Sequence, residues 1–128
     1  MDIAKDLALI DQLCARDFPA AHAPYHAAWL GPGDWPDARD CYAYEAALVE
    51  RLTQRWGASD RWGTVTLVER IARGEAIPEP WAMLTALAID VRTWVVPGTG
   101  RRLTVAVADR DEENQPRLWA GVTETAPP

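Results

Sequence analysis

The scarcity of several residue types restricts what this chain can do. Ser59 is the only serine, and its place ahead of a helical pattern is typical of a helix cap, so we expect no serine nucleophile. The two cysteines, Cys14 and Cys41, are far apart. No apolar run is long enough to cross a membrane, and the first residues carry acids where a secretory signal needs a basic start. These features predict a cytoplasmic protein with both thiols free.

Basic side chains are also in short supply. Thirteen basic and nineteen acidic residues leave a net charge of -6. Nucleic acids and anionic membranes attract proteins through positive charge, so this balance argues against direct binding to either. It favours a basic protein partner instead. The length of 128 residues fits one domain, spanning residues 1–128 with a loose tail at about 125–128.

Helical periodicity dominates the first two thirds of the sequence. We expect one helix from about Asp2 to Asp17 and a stronger one from Ala38 to Trp56, with Asp37 as its N-cap and Gly57 at its end. The prolines and glycines of residues 18–37 leave room for only a single helical turn, through Trp29.

Two shorter helices are expected downstream. Ser59 would cap a third helix, and Pro80 would start a fourth that runs to about Ala88. In the third helix, one apolar face is formed by Trp62, Val65, Val68 and Ile71.

Three segments near the C-terminus change to the alternation of strands: residues 91–96, 101–107 and 117–123. The fold class predicted is therefore α+β, with three to four N-terminal helices followed by a three-stranded antiparallel meander. We expect Val91, Thr93 and Val95 to share the packed face with the alternating apolar residues of the other two strands. Trp94 and Trp119 would then point away from that face and be partly exposed.

The second hairpin connection carries the densest charge in the chain, the carboxylates of Asp109, Asp111, Glu112 and Glu113. The stretch lacks the glycine and the glutamate of a calcium loop of the helix-loop-helix type. On a solvated hairpin, nothing would separate the pKa values of two carboxylates for acid–base catalysis. Two interpretations remain open, a solvated turn and a surface that contacts another protein.

Other candidate chemistry has weaker support. His22, His26, Cys14 and Cys41 do not have the spacing of a zinc site. The glycines of residues 97–100 lack the lysine and hydroxyl of a phosphate loop, so we expect a hairpin turn there. His26 could act as a general base if an aspartate orients it, and the candidates are Asp34, Asp37 and Asp40.

Seven tryptophans are the remaining unusual feature. Trp29 and Trp35 lie in or beside the proline-rich segment, which also contains Asp34. Residues 1–40 carry seven acidic and three basic side chains, so acids gather there and in the hairpin loop. Acidic residues around an aromatic anchor are typical of a surface for a basic protein. The expected partner-binding residues are Asp109, Asp111, Glu112, Glu113, Trp119, Trp94, Asp34 and Trp35.

An acidic, tryptophan-rich chain with the stretches "DRDEEN" and "GPGDWP" resembles the immunity proteins of bacterial toxin–immunity systems, including those of contact-dependent growth inhibition. The resemblance implies a monomeric protein that binds a cognate toxin domain one to one. The toxin would be basic, as nucleases are, and acidic side chains would cover its active site or substrate groove. Such a protein is no enzyme and needs no cofactor. Two other hypotheses stay open: an acidic chaperone for a secreted effector, and a small enzyme that uses His26.

Overall fold

Five antiparallel strands form one sheet at the centre of the molecule, in the order β1-β5-β4-β3-β2. A computed structural model describes residues 3–18, 25–111 and 115–128. The elements in these residues are α1 (Ile3–Ala15), β1 (Tyr25–Leu30), α2 (Ala38–Trp56), β2 (Asp60–Gly63), α3 (Val65–Ala72), α4 (Trp81–Leu87), β3 (Asp90–Val95), β4 (Arg102–Ala108) and β5 (Arg117–Thr123). None of the helices described is long and apolar enough to span a membrane.

The longest helix, α2, begins and ends where the sequence predicts. The Asp37 carboxylate accepts a hydrogen bond from the backbone N–H of Arg39 at 2.9 Å, which satisfies one of the free donors of the first turn. Gly57 has a φ of +88° and donates its N–H to the Thr53 carbonyl at 2.9 Å. The buried side chains of α2 recur at helical spacing and face the sheet: Cys41, Tyr44, Leu48 and Leu52.

The α+β class is confirmed, but the sheet is larger than the expected meander. Strands β3, β4 and β5 are adjacent, as predicted, and β1 and β2 extend the sheet at its two edges. The helical turn predicted through Trp29 is wrong, because residues 25–30 pair with β5 along their whole length. The helix predicted directly after Ser59 is also wrong at its start, since residues 60–63 pair with β3 before α3 begins. Helices and strands therefore alternate in the first half of the chain.

Helices cover both faces of the sheet, and this decides where the tryptophans lie. Helices α1 and α2 pack on one face with Trp94, and α3 and α4 pack on the other face with Trp119. Trp94 is 1% exposed and Trp119 is 4% exposed, so the prediction that they are partly exposed is wrong. Trp94 pairs with Leu103 and lies on the same face, whereas Val91 lies on the opposite face with Trp119. The predicted assignment of faces on β3 was therefore inverted.

In helix α3, residues that were predicted to be buried are exposed. Its periodicity predicted a buried face with Val65, Val68 and Ile71, yet all three are exposed. Leu67 is the buried residue of this helix, and it packs with Trp81 of α4. The helix has only eight residues, and it buries a narrower stripe than the sequence pattern suggests.

A glycine in β5 makes room for the indole of Trp119. A Cβ atom built on Gly121 would overlap the six-membered ring of Trp119, lying 2.7 Å from its Cζ2 atom. The ring therefore lies flat over the backbone of its own strand, where any side chain at position 121 would displace it.

We expect Gly121→Ala to lower the free energy of unfolding by about 1–3 kcal/mol, because the added methyl group overpacks the core at Trp119. The matched control is Gly63→Ala in β2, where a Cβ atom would meet no atom closer than 3.7 Å. Urea unfolding of both variants measures the difference. Equal effects of the two substitutions would contradict this account of Gly121.

Candidate functional site

An open cleft of about 790 Å³ lies on the α4 face of the sheet, where β1 and β4 end and β5 begins. We call it the Trp29 cleft. The residues that define it are Trp29, Asp34, Leu87, Ala108, Asp111 and Arg117. It is larger than two other cavities that the described residues form, of about 440 Å³ and 140 Å³.

The cleft combines an apolar lining with two carboxylates. Leu87, at the end of α4, and Ala108, at the end of β4, contribute the apolar surface. Asp34 comes from the loop after β1 and Asp111 from the loop after β4, and both are exposed. A cation with an apolar stem, such as a lysine or arginine side chain, matches this combination.

Trp29 is the tryptophan that offers ring surface at this site, with 40% of the residue exposed. It pairs with Trp119 across β1 and β5, so Arg117, two residues before Trp119, is its diagonal neighbour on the same face. The Arg117 guanidinium carbon lies 3.9 Å from the centroid of the Trp29 ring. This is a cation–π contact, which contributes about 0.5–1 kcal/mol at an exposed position.

The loop that carries Asp34 is fixed by a buried carboxylate. Asp6 of α1 accepts a hydrogen bond from the Gly31 N–H at 2.9 Å and another from the Tyr44 hydroxyl of α2. Trp35 is 2% exposed and packs against the Tyr44 ring with centroids 5.4 Å apart. Gly31 has a φ of +76°, and a Cβ atom there would overlap the Trp35 ring, lying 2.7 Å from its Cη2 atom. Trp35 is therefore part of the core beneath the loop, where it holds Asp34 at the cleft.

The two described carboxylates of the acidic loop lie in different cavities. Asp111 lines the Trp29 cleft, while Asp109 lines a second cavity of about 140 Å³ beside α2. Between them, Arg110 donates hydrogen bonds to the Thr64 hydroxyl at 2.6 Å and to the Ala88 carbonyl at 3.1 Å. Arg110 thereby anchors the start of the loop to the segment that follows α4.

The second cavity is a polar cluster with both signs of charge. Its charged members are Glu45, Arg61, Asp90, Arg92 and Asp109. The Tyr42 hydroxyl donates a hydrogen bond to Asp109 Oδ2 at 2.7 Å. Asp109 Oδ1 is buried and accepts no hydrogen bond from the described residues.

Burial and crowding of carboxylates shift several pKa values in this cluster. Partial burial raises the pKa of Glu45, Asp109 adds to the effect, and Arg92 opposes it. Burial raises the pKa of Cys41 to about 11, helped by Glu45 and Asp109. Burial and the hydrogen bond to Asp109 raise the pKa of Tyr42 as well. Ionisation of Glu45, Cys41 or Tyr42 next to the Asp109 carboxylate is therefore unfavourable.

The structure separates the predicted partner-binding residues into groups. It brings Asp34 and Asp111 together at the Trp29 cleft, and it places Asp109 in the second cavity. Glu112 and Glu113 lie outside the described residues. Three predicted aromatic contact residues are in the core instead: Trp35, Trp94 and Trp119. Sequence reasoning missed Arg117 and Leu87. The pairing of β1 with β5 was needed to find Arg117, and the packing of α4 on the sheet was needed to find Leu87.

His26 does not contact the aspartates proposed to orient it. Its Nε2 atom lies 2.7 Å from the Asp17 carbonyl oxygen, and its ring packs against Phe18 with centroids 4.2 Å apart. A carbonyl only accepts, so Nε2 carries the hydrogen in this contact. Asp34 lines the Trp29 cleft instead.

The cysteines and histidines form no metal cluster in the part of the chain that the structure describes. There, no three side chains among His, Cys, Asp and Glu are grouped in a way that could hold a metal ion. Cys14 and Cys41 are both free. His22, a member of the set considered for zinc, lies outside the described residues.

Comparison of the chain with protein-family models, with curated proteins and with solved structures finds no match. The resemblance to immunity proteins therefore stays a prediction, and the functional argument depends on the residues of the site.

We expect Tyr44→Phe to lower the free energy of unfolding by about 1.5–3 kcal/mol, because it removes a hydrogen bond to the buried Asp6 carboxylate. The control is Tyr42→Phe on the same helix, whose hydroxyl bonds the less buried Asp109 and whose loss should cost under about 1 kcal/mol. Chemical denaturation of both variants tests this. If Tyr44→Phe costs no more than Tyr42→Phe, the hydrogen bond from Tyr44 to Asp6 does not have the stabilising role assigned to it.

Glu45→Gln should stabilise the protein at neutral pH. Between the ordinary glutamate pKa of 4.5 and the raised pKa in the folded state, the folded protein binds more protons than the unfolded chain. Stability contributed by Glu45 is therefore lost as pH rises through this window. We expect the melting temperature of the variant to exceed that of the wild type at pH 7, with the difference vanishing below pH 4.5. Glu50→Gln, at an exposed position of α2, is the control and should show no such trend.

Proposed function

We propose that this chain is an inhibitor of the toxin–immunity kind, which binds a basic cognate toxin domain through the Trp29 cleft. One observation carries the proposal: Asp34 and Asp111, from loops far apart in sequence, meet at one cleft beside an exposed tryptophan. An aromatic anchor surrounded by a polar rim is a common arrangement at protein interfaces.

The proposed mechanism follows from charge. A nuclease holds its substrate in a groove lined with lysine and arginine side chains. The inhibitor has a net charge of -6 and presents carboxylates that can occupy such a groove in place of phosphates. Complementary charge speeds the encounter, and desolvated contacts around Trp29 slow the release. An interface of about 1,600 Å² is sufficient for this purpose.

The structure changes the residues assigned to the partner-binding surface. Asp34 and Asp111 are retained as the contact acids, and Glu112 and Glu113 remain proposed from their place in the sequence. Trp29 replaces Trp94, Trp119 and Trp35 as the proposed anchor, because those three rings are buried. We assign Asp109 a supporting role through its bond to Tyr42.

The double variant Asp34→Asn/Asp111→Asn should bind the toxin domain at least about tenfold more weakly and with a flatter dependence on salt. Its matched control is Glu50→Gln/Glu69→Gln, which removes the same charge from exposed positions outside the cleft. Capture from a lysate of the source organism, run in parallel with all three proteins, identifies a partner that the double variant loses. Calorimetry at two salt concentrations then measures the affinities.

The purified partner also allows a direct test of inhibition. Wild-type protein should abolish its nuclease or other toxic activity at a one-to-one ratio, whereas the double variant should require an excess. A partner that binds the double variant as tightly as the wild type, with the same salt dependence, would exclude the Trp29 cleft as the binding surface.

A further inference from the structure

The Trp29 cleft already contains a guanidinium group, which belongs to the chain itself. Arg117 lines the cleft together with both contact acids, and its guanidinium carbon is 3.9 Å from the centroid of Trp29. Its side chain is exposed, and it forms no ion pair or side-chain hydrogen bond with the other residues that the structure describes. The contact with Trp29 is therefore the main interaction that holds it.

We propose that the cleft is a binding site for one arginine side chain of the partner, and that Arg117 occupies the same ring face in the free protein. This inference rests on the proposed function and names the group that the cleft recognises. The partner's arginine would stack on Trp29 in the place of Arg117. The carboxylates of Asp34 and Asp111, which line the same cleft, would attract that guanidinium electrostatically.

The chemistry of the cleft favours arginine over lysine. A guanidinium is planar and weakly hydrated, so it stacks on an indole and can donate two parallel hydrogen bonds to a carboxylate. An ammonium is compact and strongly hydrated and gains less from a ring face. The volume of about 790 Å³ leaves room for Arg117 to turn aside while a second side chain enters.

Displacement of Arg117 has a measurable consequence. A ligand that must compete with an internal group has a lower apparent affinity. The apparent association constant is the intrinsic one multiplied by the fraction of molecules in which the site is free. If the Arg117 contact has the strength of an exposed cation–π pair, its removal should tighten binding about three- to sixfold.

The test uses the full chain and the small probe N-acetyl-arginine amide, with N-acetyl-lysine amide as its comparison. Titration is followed by the NMR signal of the Trp29 indole N–H, which is assigned from its absence in Trp29→Phe. Arg117→Gln should bind the arginine probe about three- to sixfold more tightly than the wild type. Arg73→Gln, which removes an exposed arginine outside the cleft, corrects for the change in net charge.

Two results would overturn the inference: an affinity for the arginine probe that Arg117→Gln does not change relative to Arg73→Gln, or equal affinities for arginine and lysine probes. The proposed function can fail separately. Tightening in Arg117→Gln without any partner that depends on Asp34 and Asp111 would support the arginine site and reject the inhibitor. A partner whose binding requires Asp34 and Asp111, together with a probe affinity that Arg117→Gln does not change, would support the inhibitor and reject the arginine site.

Discussion

The carboxylate of Asp6 is the contact on which the arrangement of the site depends. It is buried in the core, where a charged group is unfavourable unless hydrogen bonds compensate for the lost water. Gly31 and Tyr44 supply those bonds, and in doing so they connect α1, α2 and the loop after β1. The loop is thereby fixed with Trp35 directed into the core and Asp34 at the cleft. The buried carboxylate of Asp6 binds Gly31 and thereby positions the surface carboxylate of Asp34, three residues further along the loop.

The two covered faces of the sheet determine where a partner could bind. Because α1 and α2 occupy one face and α3 and α4 the other, the central strands offer no exposed face. The Trp29 cleft lies where α4 ends and the edge strand β1 continues, so Trp29 is only partly covered. Arg110 fixes the start of the acidic loop to the end of α4, which places Asp111 on the same side as Trp29. The packing of the fold thus concentrates exposed aromatic surface and negative charge at one end of the sheet.

Sequence reasoning succeeded where the determinants are local. The ends of α2 follow from Asp37 and Gly57, which act on the helix termini themselves, and β3 to β5 follow from their branched residues. Strands β1 and β2 were missed because each is a short edge strand whose pairing partner is distant in sequence. The burial of Trp94 and Trp119 depends on helices covering both faces, which no local pattern reveals. Asp34 and Asp111 were predictable as candidates, whereas their meeting at one cleft follows only from the pairing of β1 with β5.

The most direct test of the proposed binding surface is hydrogen–deuterium exchange on the complex with the partner that the capture experiment identifies. The account predicts slower exchange in residues 29–34 and 108–111 on binding, since both segments line the Trp29 cleft. The exposed side of α3, with Val65, Val68 and Ile71, is an alternative apolar surface for a partner. Slower exchange confined to α3, with the cleft segments unchanged, would contradict the central claim.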